Sequence, residues 1–434
     1  MLGTLVRFII IYIAVLPFGS QAQDTLKLNR QECEAIFLKE NLLLIAEKLQ
    51  ISQAEAMVIQ AKLWPNPSVS LDEVNLWATQ QQLGVFGEEL PAFGNGSLGK
   101  NQQISFSVEQ LILTAGKRGK LVALEQVNVE KYQQYFQDLL RNLKAEFRQQ
   151  MTKLQFLQSN VRIYQNQLSS VRQLTMAYLR QVDQGNVPRG EYIRLKALEL
   201  EIARQINQVN LDINDCQKEL KMLMRLPYST HLVITDDEFL RDINPYRALT
   251  LDNLIEQAKL SRPDFKISDL DQSYYSKLYN YQKAFRTPDL TLKGGYDRGG
   301  NFMFNFVGFG LAVDLPVFNR NQGYIQHARI GMDYAKTMYQ QMELTVENEI
   351  AKAFRDLSMA IRFLSDIEPG YENTLDDLLN SYTRNFINRN VSMLEYLDFL
   401  DAYLENKRII LEADRDVNDK IEELVYAVGS ELFN

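Results

Sequence analysis

Hydrophobic positions along this chain follow two periods, and each period occurs twice. From about Ala115 to Val182 apolar and aromatic residues recur about every 3.5 positions, running from Tyr132 through Phe147, Leu154 and Leu168 to Tyr178. No proline interrupts this stretch, and its glycines, Gly116 and Gly119, lie at its start. The pattern predicts a helix about 100 Å long. A compact domain of this size cannot bury such a helix, so it must run beside other long helices.

The second period is two. Val69 and Leu71 alternate with Ser68, Ser70 and Asp72, and Ile104, Phe106 and Val108 alternate with Ser105, Ser107 and Glu109. Such strands have one apolar and one polar face. Lipid outside with water inside fits them, and so does a half-buried sheet in a soluble sandwich. Farther on, Leu290 and Leu292 alternate with Asp289 and Thr291 after Pro288. The run from Phe302 to Leu315 changes parity: Phe302, Phe304 and Phe306 fall on one face, and Phe309, Leu311 and Val313 on the other. A β-bulge near Val307-Gly308 would reconcile them.

A shift of 204 positions superposes much of the second half on the first. Leu111 falls on Leu315, Gly119 on Gly323, Asn186 on Asn390, Val187 on Val391, Glu191-Tyr192 on Glu395-Tyr396 and Asn214-Asp215 on Asn418-Asp419. The expected organisation is therefore a duplication. Residues 1–22 form a signal segment. A first repeat covers 23–226, with strands near 67–74 and 103–111 and a long helix near 115–183. Residues 227–250 link the copies. A second repeat covers 251–434, with strands near 288–297 and 302–315 and a long helix near 322–387. Residues 28–63 and 251–285 read as helical, and Trp64-Pro65-Asn66-Pro67 stops the first of these. Gln184-Gly185-Asn186-Val187-Pro188 breaks the first long helix, and a returning helix follows from about Arg189 to Met224. A turn at Asn388-Arg389-Asn390 and a last helix ending near Leu432 close the second copy. Gly84, Gly87, Gly94, Gly96 and Gly99 mark a long loop, and Gly299-Gly300 a short one.

The N-terminus changes the compartment. Arg7 precedes an 11-residue apolar run, Phe8 to Phe18, and Ser20-Gln21-Ala22 has small-x-small spacing. That is a secretory signal cleaved after Ala22, because a spanning helix needs about 20 apolar residues. No later segment has that length, so any membrane part must be β-strand in an outer membrane. The formal charge of −8, with scattered Lys and Arg, argues against a nucleic-acid partner. Cys33 and Cys216 lie far apart; export permits a bond, and two buried free thiols are the alternative. His231 and His327 are isolated, and core packing accounts for Met338 and Met342. No spacing matches a metal site, a phosphate loop, a nucleophile elbow or a zinc-protease pair. No cofactor and no enzymatic reaction are expected.

Four strands cannot close a barrel, and an open sheet edge is not tolerated in lipid. Copies of the chain must supply the rest, and three copies would give twelve strands. The order of elements, the duplication and the helix lengths resemble the TolC family of outer-membrane efflux proteins across essentially the whole mature chain. Pro65-Asn66-Pro67 resembles the family's approach to its first membrane strand. Leu315-Pro316-Val317-Phe318-Asn319-Arg320-Asn321-Gln322-Gly323 resembles the start of its second long helix, in the form of the cobalt–zinc–cadmium and copper–silver efflux branch.

That resemblance implies a mostly α fold with a membrane β-barrel part: a homotrimer with a twelve-stranded barrel in outer-membrane lipid and a helical tunnel across the periplasm. It implies two partners, a periplasmic adaptor and an inner-membrane pump of the proton-driven RND type. Metal cations are the first cargo it suggests and drugs the second. It assigns the helix turns, Gly185, Asn186, Val187 and Asn390, Val391, Ser392, to the adaptor-contacting tip, and Glu395 and Asp398 to a periplasmic aperture. Asp401, three residues on, extends that acidic stripe. Three copies would place six carboxylates around one constriction and favour cations. A solvated helix face is the other reading. The first copy has Glu191 and Arg194 at the equivalent places, spaced for a local ion pair. An exit duct for one-step protein secretion and a periplasmic coiled-coil scaffold are the competing functions.

Overall fold

The computed structural model describes residues 25–75, 103–235, 242–299 and 304–433. The expected signal segment, the loop from Gly84 to Gly99 and Gly300 lie outside the described residues. The elements in chain order are β1 (Thr25–Leu28), α1 (Arg30–Glu40), α2 (Leu42–Lys62), β2 (Ser68–Asn75), β3 (Gln103–Ile112), α3 (Lys117–Asp183), α4 (Arg189–Met224), β4 (His231–Ile234), α5 (Asn244–Arg247), α6 (Leu251–Ser261), α7 (Pro263–Ala284), β5 (Leu290–Gly299), β6 (Phe304–Val313), α8 (Gln322–Asp366), α9 (Tyr371–Ile387) and α10 (Met393–Val428). They form two compact units: one takes residues up to 46, 137–262 and 345 onward, and the other takes 47–136 and 263–344. Each unit draws on both halves of the sequence.

The first unit is helical apart from one small parallel pair, in which Thr25–Leu28 matches His231–Ile234. Its core is the apolar stripe of the long helices: Phe147, Met151, Leu154 and Val171 of α3, Leu195, Ile202 and Leu220 of α4, and Leu400, Val417 and Ile421 of α10 are all buried. The predicted returning helix is observed from Arg189 to Met224, and α10, Met393–Val428, matches it residue for residue at a shift of 204. Their C-caps keep the shift, with Arg225 at φ 53° and Gly429 at φ 80°.

Three of the expected helices need correction. The stretch 28–63 is two helices, because Asn41 interrupts it. Its Oδ1 accepts from Leu43 N and Leu44 N at 3.0 and 3.1 Å, capping α2, while its amide donates to Leu223 O at 2.9 Å. The stretch 251–285 breaks at Arg262-Pro263. The segment 227–250, expected to link the copies, carries β4 and α5. Gln217 holds β4 in place, accepting from Leu232 N and donating to Leu232 O. The helix expected over 322–387 stops at Asp366 and restarts at Tyr371. Pro369 has no N–H to continue the ladder, and Gly370 takes φ 80°. The corresponding α3 lacks proline and runs unbroken for 67 residues.

In the second unit four antiparallel strands form one sheet in the order β2-β3-β5-β6. The register places Val69 opposite Val108, Phe106 opposite Tyr296, and Leu292 opposite Leu311. One face is therefore apolar across all four strands, and Val69, Leu71, Phe106, Val108, Leu292, Phe309 and Leu311 are exposed on it. The other face carries Ser70, Ser107, Glu109, Thr291, Lys293 and Asp297. The proposed bulge is absent: pairing between β5 and β6 is unbroken from Asp297–Phe306 to Leu290–Val313. The phenylalanines change parity because Phe306 lies on the polar face, with its ring over Gly308, where a Cβ would overlap it. Asn305, at φ 57°, takes the local irregularity instead.

Within the same unit Gly331 of α8 lies against the Tyr275 ring of α7, and any Cβ there would overlap it. Gly331→Val is expected to destabilise the protein by about 1–3 kcal/mol. Thermal melting of the detergent-solubilised protein measures this, and Tyr275→Ala in the same chain should recover part of the loss.

Candidate functional site

The two helix turns have the same construction. Gly185 (φ 75°) and Arg389 (φ 63°), again 204 apart, hold the left-handed position. Asn186 N donates to Gln181 O and Asn390 N to Asn385 O, both at 2.8 Å, which closes each helix with a Schellman bond. Asn186 also donates through its side chain to Gln181 Oε1 at 3.0 Å. Glycine supplies the left-handed residue in the first copy, and arginine does so in the second at a steric cost. Pro188 is the N-cap of α4 and makes no side-chain cap bond. Ser392 caps α10 through a complete capping box with Glu395.

That capping box gives Glu395 a local task. Its Oε2 accepts from Ser392 N at 2.8 Å and from Ser392 Oγ at 2.7 Å. The Ser392 hydroxyl first, then its backbone N–H, hold the carboxyl below the ordinary range. Asp398 and Asp401 continue the exposed stripe of α10. Burial, then the charges of Asp398 and Glu201, push the Asp401 carboxyl up. The exposed edge of α10 thus concentrates negative charge, and α4 contributes to it. Among the described residues no ion pair joins Glu191 to Arg194.

Aromatic side chains support the turns, and sequence periodicity gave no direct sign of them. Tyr178 stacks on Phe386 (5.3 Å, 5°) and Phe386 on Tyr396 (4.6 Å, 9°), so one pillar ties α3, α9 and α10 together. Tyr382 stacks on Phe399 at 4.2 Å. Farther along α10, the buried Lys407 ammonium donates to Glu372 and Asp376 of α9 at 2.8 and 2.9 Å, and Tyr403 Oη donates to Asp376 at 2.8 Å. The nearest sequence signal was the helical spacing of Tyr396, Phe399 and Tyr403 at the start of α10.

Two further carboxyls of α10 are partly buried. Burial, with Glu372 adding, pushes Asp414 up to about 6. Burial also pushes Asp419 up to about 6, with Asp416 and Glu423 adding and Arg415 and Lys420 opposing. Both keep their protons in the folded chain at pH values where an unfolded aspartate, near 3.8, has lost them. Stability therefore falls as pH rises through that interval. Glu431 behaves oppositely: burial alone would raise it, but hydrogen bonds from Arg148 and Lys144 bring it down to about 2. Its contribution is present above its ordinary 4.5 and fades as pH falls. Thermal stability in detergent is therefore expected to peak near pH 4, where the rising Glu431 contribution meets the falling aspartate one, and to decline from there toward about pH 6. Asp414→Asn together with Asp419→Asn should flatten the decline on the alkaline side, as followed by melting temperature against pH.

On the polar face of the sheet Lys293 pairs with Glu109 directly across β3 and β5. Ser70 Oγ and Ser107 Oγ lie 2.7 Å apart. Cys33 and Cys216 are buried and unbonded to each other. Burial pushes the Cys216 thiol up to about 12, and it donates to Gln150 O at 3.1 Å. Among the described residues no three His, Cys, Asp or Glu side chains are grouped to hold a metal ion. Met338 is exposed on α8 rather than packed in a core.

No protein-family model matches the chain. A stretch of 125 residues is 26% identical to the cobalt-zinc-cadmium resistance protein CzcC of Cupriavidus metallidurans, covering 29% of each protein. The match thus spans under a third of that relative's length. The CusC crystal structure, described for transmembrane channel formation, superposes with a TM-score of 0.70 at 16% identity over 92% of both chains. The CmeC outer membrane channel of Campylobacter jejuni gives a TM-score of 0.72 at 16% identity, over 92% of this chain and 85% of that one. The likeness covers 92% of this chain in both cases, so this chain has the TolC-like fold of those outer-membrane channels.

Proposed function

We propose that the chain is the outer-membrane component of a tripartite efflux system. Three copies would join their sheets edge to edge into a twelve-stranded barrel, with the helices forming a periplasmic tunnel. The tunnel would receive cargo from an adaptor and an inner-membrane pump and conduct it passively, without catalysis. The observation that carries this reading is the two-faced sheet. Its apolar face is continuous and exposed over four strands, its other face is polar and charged, and β2 and β6 are both left as open edges. Lipid on one side, water on the other and a neighbouring copy at each edge satisfy all three features. The partial likeness to a cobalt-zinc-cadmium resistance protein supports metal cations as the cargo. The sheet reading is tested by single cysteines on β2 and β6, which should cross-link into covalent trimers in outer-membrane fractions; dimers only, or no product across a panel of pairs, would refute it.

At the tunnel's inner end, Glu395 and Asp398 would line the aperture, and the turns Gly185–Val187 and Asn390–Ser392 would meet the adaptor. Because Glu395 also caps α10, alanine would confuse two effects. Glu395→Gln keeps hydrogen-bonding capacity for the cap and removes the charge. With Asp398→Asn it is expected to raise single-channel conductance in planar bilayers and to weaken cation selectivity. Unchanged conductance and selectivity would remove both residues from the aperture.

A further inference from the structure

β6 carries one side chain that the two-faced sheet does not account for. On the apolar face Val307, Phe309, Leu311 and Val313 follow the expected pattern. On the other face the strand reads Phe306, Gly308, Gly310 and Ala312, so past Phe306 it presents nothing larger than a methyl group. Phe306 is 49% exposed there, on the face that Ser70, Ser107, Glu109 and Lys293 make polar. Shielding of glycine explains part of its position, because the ring lies over Gly308. That contact covers one side of the ring. Its neighbours along the strand are too small to cover the rest, and its direct partner across β5 is Asp297.

The surroundings of the ring are acidic. Side chains directly opposite each other on paired strands have their Cβ atoms about 5 Å apart, which sets the Asp297 carboxylate beside the Phe306 ring. The same row continues through Ser105 of β3 to Asp72 of β2. Asp72 is exposed and accepts from Ser70 Oγ at 2.7 Å. The lysine of this face, Lys293, is taken up by Glu109. An aromatic face is electron-rich and attracts cations, most strongly those that give up water easily. Quaternary and aromatic ammonium ions do so. Small divalent metal ions keep their water and gain little from a ring.

We infer that Phe306 and Asp297 form a resting site for organic ammonium ions on the inner wall of the barrel: the ring packs against the alkyl or aromatic groups of the ion, and the carboxylate meets its charge. This rests on the reading of the polar face as a water-filled lumen. It adds a class of cargo to the metal cations and names the side chains that touch it. The site lies toward the end of the sheet away from the helices, near the close of β5 and the start of β6. Each copy in the assembly would contribute one.

Channel block tests it on the full-length protein in planar bilayers, with potassium chloride carrying the current and benzyltrimethylammonium as the probe. The half-blocking concentration is read against each variant's own open current, so a change in conductance does not enter. Phe306→Leu keeps an apolar cover for Gly308 and removes the aromatic face; it should raise the half-blocking concentration at least about fivefold. Phe306→Tyr should stay within about twofold of the wild type. Asp297→Asn should weaken the block as well, and magnesium should act equally on the wild type and on Phe306→Leu. An unchanged half-blocking concentration in Phe306→Leu would overturn the site. A parallel loss of magnesium block would overturn its preference for organic ions. Gly310→Cys, in a Cys33→Ser, Cys216→Ser background, separates this from the lumen reading. If a charged thiol reagent changes its current while the probe does not block the wild type, the site falls and the lumen stands. If the reagent changes nothing, the lumen reading falls and the site with it.

Discussion

Arg148→Met is expected to destabilise the helical unit by about 3 kcal/mol, the lower end of what breaking a buried ion pair costs. Arg148 joins three carboxylates from separate parts of the chain. Its guanidinium lies 2.9 Å from Glu34 of α1, 3.4 Å from Glu422 of α10 and 2.8 Å from Glu431 beyond α10. Lys144 supports the same group, at 3.2 Å from Glu34 and 2.7 Å from Glu431. The decisive member is Glu422, whose side chain is only 2% exposed. Without the guanidinium that carboxylate loses a charged partner in a place water barely reaches, whereas Glu34 and Glu431 keep Lys144 and some solvent. Chemical or thermal unfolding in detergent measures the loss. Adding Glu422→Gln should return part of it, since the two residues are coupled. Equal effects in both backgrounds would show that Arg148 acts through packing alone.

Phe309→Arg is expected to cost about 2–4 kcal/mol in membrane assembly, the scale for a cation on the lipid face of a barrel near mid-bilayer. Phe309 is 91% exposed in the single chain, at the centre of the apolar face on β6. The fraction of heat-resistant trimer in outer-membrane preparations should fall sharply. Ala312→Arg puts the same group three residues on, on the opposite face, where Thr291 is its cross-strand neighbour. There it should be tolerated, with an effect below about 1 kcal/mol. Equal damage at both positions would mean that the two faces do not see different solvents.

Much of this architecture was legible because it depends on periodicity, which a sequence carries openly. The step of about 3.5 residues through Phe147, Leu154 and Leu168 marked α3, and the alternation at Val69 and Leu71 marked β2. Gly185 and Pro188 marked the break between α3 and α4. What failed was punctuation without those signals, or with signals passed over. Asn41 breaks a helix by capping the next one, and a lone asparagine in an apolar segment does not stand out. Pro369-Gly370 is a breaker signal inside the stretch read as one helix over 322–387. The parity change at Phe306 looked like a bulge because a large aromatic on a polar face was not expected; the space comes from Gly308. At the turns, the acidic residues were legible by type and spacing. The aromatic pillar under them was not, since stacking of Tyr178, Phe386 and Tyr396 needs three helices in three dimensions. The capping task of Glu395 was in the sequence as Ser-x-x-Glu at a helix start, and its charge drew attention first.

The alternation along β6 tests the two-solvent sheet most directly. With Cys33→Ser and Cys216→Ser as background, single cysteines from Val307 to Val313 can be labelled with a charged maleimide in intact outer membranes. Positions 308, 310 and 312 should react, and 307, 309, 311 and 313 should be protected until detergent is added. Uniform labelling, or protection of the even positions, would show that the apolar face does not meet lipid.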